Sequence, residues 1–157
     1  MRLVFMGLLL SFILGCQTNT VAETPEDLIG VVTTQQLLSS YPGFLAEYQA
    51  YQPSPAEIFA VQQLEGKSIT VLFGAWCHDS EREVPRLLKL LDVAKLGQLN
   101  LQLMAVNHNK QEPSGTYRRL DLRYTPTIIL FDGENELGRI IERPVTSLGE
   151  DLAGLLP

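Results

Sequence analysis

Ser68 to Phe73 is rich in Ile, Val, Leu and Phe, with Thr70 its one polar interruption after Ser68, and a helical pattern starts a few residues later. A continuous apolar run of this length suits a strand buried on both faces, which requires layers above and below a sheet. From Glu81 to Leu96 the residues Val84, Leu87, Leu88, Leu91 and Ala94 recur at helical spacing, so an amphipathic helix is expected there. Between strand and helix lies Trp76-Cys77-His78-Asp79-Ser80. That junction puts a thiol at a helix N-terminus, where backbone N–H groups and the helix dipole favour the thiolate.

The rest of the chain supplies the layers. Leu99 to Val106 alternates apolar and polar residues and reads as a strand. Asn107 to Gly115 is a polar loop, with a short helix at about Thr116–Leu120. Thr127 to Phe131, the turn Asp132-Gly133 and Glu136 to Glu142 read as a hairpin. A last helix is expected over Thr146–Leu156, with Leu148, Leu152 and Leu155 inward. Before the first long strand, Gln35 to Tyr51 has helical spacing through Leu37, Leu38, Phe44, Leu45 and Tyr48, broken at Pro42-Gly43. Ser54-Pro55-Ala56-Glu57 is a capping-box helix start, and that helix runs to about Leu64 and stops at Gly66. The expected outcome is an α/β domain over 33–157: a mixed central sheet with helices on both faces and a helical N-terminal extension.

The N-terminal residues have a different character. Arg2 precedes an apolar stretch, Leu3 to Leu14, relieved by Gly7 and Ser11; it is shorter than the ~20 residues of a comfortable bilayer span. Ile13-Leu14-Gly15-Cys16 then resembles a bacterial lipobox. The resemblance implies a signal peptide over 1–15, a lipid on Cys16 and a tether over 16–32. Gln17, in place of aspartate, is similar to the outer-membrane pattern of lipoprotein sorting. The expected location is therefore the cell envelope, with the domain held by lipid in the periplasm.

Charge and cysteines narrow the chemistry. A formal charge of −6 and no long basic stretch argue against a nucleic-acid partner. The two cysteines are Cys16 and Cys77. With Cys16 committed to lipid, Cys77 is the sole thiol and no internal disulfide forms. Adjacent Cys77, His78 and Asp79 do not readily converge on one ion, so no metal is expected. The glycines form no phosphate loop, and no other cofactor is implied. His108, in the polar loop, reads as a surface residue.

Three local matches resemble the thioredoxin superfamily over about Ser68–Leu156: Trp76-Cys77 between strand and helix, Pro85 eight residues on, and Tyr124-Thr125-Pro126-Thr127 before the next strand. Trp-Cys-x-Asp-Ser with Val84-Pro85 following is similar to a bacterial subgroup carrying Trp-Cys-Gly-Asp-Cys. The resemblance implies a thioredoxin fold, with Cys77 as nucleophile and Pro126 cis and lying against it. Thr125 would offer backbone groups to an extended substrate, and Trp76 would flank the thiol. His78 is a candidate cation for the thiolate and Ser80 a candidate hydrogen-bond donor to the sulfur, while Asp79 opposes ionisation. The chain departs from the pattern twice. Ser80 replaces the resolving cysteine, and Val71 stands where thioredoxins often bury an aspartate. The expected function is thus monothiol thiol–disulfide exchange with cysteine-containing envelope proteins or small thiols, released by a thiol from elsewhere. The competing readings are a redox-inactive peptide-binding module and a structural lipoprotein cross-linked through Cys77.

Overall fold

The structure, a computed structural model, describes residues 28–157. The expected signal peptide, Cys16 and most of the expected tether lie outside the described residues. Five strands form one sheet in the order β1-β3-β2-β4-β5, with β1 Gly30–Val32, β2 Ser68–Phe73, β3 Asn100–Ala105, β4 Thr127–Asp132 and β5 Asn135–Ile141. β2 and β3 run parallel in the register Phe73↔Ala105, joined by α4 (His78–Ala94). β4 lies antiparallel to β2, Leu72 opposite Thr127, and β5 returns beside β4. A parallel strand-helix-strand unit followed by an antiparallel hairpin and a closing helix is the thioredoxin fold foreseen from the sequence.

The local signals explain the elements. α1 (Thr34–Ser40) and α3 (Pro55–Gln62) each begin with a full capping box, Thr33 with Gln36 and Ser54 with Glu57, a device that satisfies otherwise orphaned backbone donors. α2 (Pro42–Ala50) starts at the proline that breaks the earlier helical run. α4 stops at Ala94 and not at Leu96: Lys95 turns left-handed with φ 53° and returns its N–H to Leu91. α6 is shorter than expected, Leu148–Ala153, because the Ser147 hydroxyl caps Glu150. Asp151 accepts the N–H groups of Val145 and Thr146, fixing the two residues before that cap in a non-helical stretch.

The two faces of the sheet are unequal. Leu37, Phe44, Val61, Val84, Leu87 and Leu152 pack over Val71 and Phe73, so α1 to α4 and α6 share one core. The other face carries Leu72, Met104, Leu122 and Ile129 under α5 (Thr116–Arg119), a single turn. The strand expected to be buried on both faces is therefore buried fully only near its C-terminus, and Ser68 and Thr70 are half-buried beyond the reach of α5. A second correction concerns the tether. Gly30 to Val32 are the edge strand β1, antiparallel to β3 with Gly30↔Ala105, so the folded domain begins before residue 33. Among the described residues no helix is long and apolar enough to cross a membrane.

The 112–117 turn depends on one carboxylate. Glu112 is buried and accepts N–H groups of Ser114 and Tyr117. Burial pushes its pKa up, but hydrogen bonds from Ser114, Tyr117 and Thr116 outweigh this and hold it below the usual carboxylate value. A carboxyl depressed on folding contributes stability that is present above its unfolded value and lost as pH falls through the folded value. Glu112→Gln is expected to lower stability at pH 7 by about 1–3 kcal/mol, and the gap from the native chain should close below pH ~4. Urea midpoints from pH 3 to 7 check this; a gap independent of pH would remove the carboxylate from the explanation.

Candidate active site around Cys77

β2 delivers the thiol. Val106 N–H donates to Phe73 O at 2.8 Å, holding the ends of β2 and β3 level. The chain then turns through Gly74 to Trp76, closed by Cys77 N–H donating to Gly74 O at 3.0 Å. Cys77 is the N-cap of α4, half-buried, and makes no side-chain cap bond to the helix. Its Sγ donates to the carbonyl of Thr125 at 3.1 Å. The Thr125–Pro126 bond is cis, and both residues are buried. The structure thus brings Cys77, Thr125 and Pro126 together.

Trp76 is fastened from the β3 side. Its indole N–H donates to Val106 O at 3.0 Å, and its ring stacks on His108 at 4.6 Å between centroids and 20° between planes. The indole also lies across Gly74, where a Cβ would come within 2.5 Å of the ring. His108 was expected to be merely a surface residue. It is exposed, but it is also the platform of the site's indole, a contact that only the folding of the loop after β3 creates.

Two expectations fail on direction. Ser80 is fully buried and its Oγ accepts Gly74 N–H at 3.3 Å, so it braces the turn and makes no hydrogen bond to the sulfur. His78 is exposed on the first turn of α4, and no hydrogen bond or ion pair joins it to Cys77. Asp79 does not stand as a bare charge beside the thiol: Arg82 reaches it at 3.2 Å and Arg143 at 3.6 Å. Partly exposed pairs of this kind are worth little in stability. Arg143, which follows β5, carries no sequence signal that would have singled it out. Val71 is fully buried in the apolar core, so methyl groups fill the position where thioredoxins often bury an aspartate. Among the described residues no three His, Cys, Asp or Glu side chains gather where a metal ion could sit.

Comparison with known proteins gives the fold and little else. No family model matches the chain, and no curated protein matches it. A protein of unknown function from Pseudomonas aeruginosa has a similar structure, with TM-score 0.53 and 17% identity over 74% of this chain and 81% of that one. Trxlp from Edwardsiella tarda aligns at TM-score 0.46 and 16% identity, over 66% of this chain and 94% of that one. Thioredoxin f2 from Chlamydomonas reinhardtii aligns at TM-score 0.40 and 16% identity, over 53% of this chain and 72% of that one. A shared fold does not by itself assign a reaction.

Proposed function

We propose that the protein is a monothiol thiol–disulfide exchange protein of the cell envelope, anchored by lipid on Cys16 and acting through Cys77. The observation that carries the reading is the sulfur itself: it rests on the Thr125 carbonyl beside cis-Pro126, while Ser80 is committed to Gly74 and Val71 to the core. The site holds one nucleophile, with neither a resolving thiol nor an acid to serve one.

In the reaction the Cys77 thiolate, its proton given to solvent, attacks one sulfur of a substrate disulfide. A new S–S bond forms to Cys77 as the old one breaks, and the departing sulfur keeps the electron pair and takes a proton. The mixed disulfide then waits. A second thiol, external or from the substrate, attacks it and becomes the oxidised partner, returning Cys77 as thiol. Trp76 and the Thr125 backbone flank the sulfur and orient the incoming chain. Partners are cysteine-containing envelope proteins or small thiols.

The test is stoichiometric exchange. Mixed with a chromophoric mixed disulfide, the protein should release one equivalent of chromophore and remain modified at Cys77, by mass, until a second thiol is added. A rate no higher than that of free cysteine at the same pH would leave the peptide-binding module as the better reading.

A further inference from the structure

The described chain enters the fold at the end that carries the thiol. Leu28 N–H donates to the Tyr41 hydroxyl at 3.1 Å, and Gly30 pairs with Ala105, itself the partner of Phe73. Phe73 leads directly to the Gly74–Cys77 turn. β1 and β2 are separated by β3 alone, so the chain enters roughly 10 Å to the side of the strand that delivers Cys77. From Cys16 to Leu28 even a fully extended chain covers no more than about 43 Å. Leu155 sits lower on the sheet: it packs against Gly138 at the middle of β5, which pairs with Leu130 some 10 Å down β4 from Thr127.

The same end carries exposed apolar side chains, beside the exposed Arg123 and Arg143. Ile29 (46% exposed), Tyr124 (54%), Ile141 (46%) and Val145 (96%) are among the exposed large apolar side chains of the domain. Ile29 adjoins Gly30, Tyr124 abuts Thr125, Ile141 pairs with Thr127, and Val145 follows β5. They span the sheet from beside β1 to beyond β5, roughly 20 Å, which is broader than the track of one extended peptide.

We propose that the thiol end of the domain is its membrane-facing end: Ile29, Tyr124, Ile141 and Val145 rest on the surface of the anchoring bilayer, and Cys77 meets thiols and disulfides presented there. The proposal rests on the lipid anchor at Cys16, not on thiol exchange. Side chains of this type at a bilayer surface gain burial at the headgroup boundary. A tether attached at the thiol end gives that end the shortest path to the lipid, and the exposed apolar side chains there select it.

The experiment uses alkylation, which needs a thiol but no exchange activity. The lipidated protein is placed in phosphatidylcholine vesicles doped with a maleimide-headgroup lipid, and Cys77 labelling is divided by labelling with soluble maleimide. The comparison is the Cys16→Ser chain held on nickel-chelating lipid by a histidine tag after Pro157. Attachment through Cys16 should give a ratio at least about tenfold higher, an effective-concentration gain. Equal ratios would overturn the proposal. Ile29→Ser with Val145→Ser should lower the ratio at least about threefold; an unchanged ratio, with capture of a soluble cysteine peptide lost, would give this rim to a polypeptide and overturn it. A Cys16→Ser chain that still sediments with membranes would remove the anchor, and the proposal with it.

Discussion

The Ser80→Cys chain is expected to release its own mixed disulfides. Positions 77 and 80 lie three apart on the first turn of α4, a spacing whose Cα separation falls inside the range a disulfide bridges. The hydroxyl of Ser80 already points inward to the turn before Cys77. An introduced thiol there competes with solvent thiols at an effective concentration of millimolar or more. The lifetime of the mixed disulfide in the chromophore assay should fall by about a hundredfold, with no second thiol added. The substitution weakens the bond to Gly74 N–H, at about 1 kcal/mol. Release should accelerate with rising pH, because Val71 offers no carboxylate to accept the new thiol's proton. A mixed disulfide that persists in this variant would mean the introduced sulfur does not reach Cys77.

Gly149→Ala should be the most destabilising single methyl in the molecule. Alanine is normally the better helix residue, by up to about 1 kcal/mol, so propensity alone predicts a gain. Packing reverses the sign. Gly149 lies on α6 against the backbone of α3, and a Cβ there would fall 2.5 Å from Glu57 O and 2.7 Å from its Cα. Main-chain atoms cannot swing aside as a side chain would, so α3 and α6 must part, at about 3 kcal/mol. For a domain whose total stability is on the order of 5–15 kcal/mol, thermal melting should show a loss on the order of 10 °C. An unchanged or raised Tm would show that the two helices are not in backbone contact.

These two residues illustrate what the sequence discloses. The strand before Cys77, the helix after it and the later hairpin carry strong periodic or turn signals, and each folds within a few residues of where the pattern places it. β1 does not, because three residues with a glycine at their start have no period to read and are defined only by pairing with Ala105 and its neighbours. Side-chain direction is similarly hidden. A serine in place of a thiol says that a sulfur is missing, but only the geometry shows its hydroxyl bound to Gly74 and not to Cys77. The stack of His108 on Trp76 and the approach of Arg143 to Asp79 join segments distant in the chain. Single-residue chemistry gives no reason to pair them.

Trp76 is the sole tryptophan of the chain, and that has a practical consequence. The fluorescence of the protein reports on one spot, an indole hydrogen-bonded to Val106 and stacked on His108 beside Cys77. Disulfides quench indole emission at short range. Formation and release of a mixed disulfide at Cys77 should therefore dim and restore the native signal, and the chemistry of the thiol can be timed without a label.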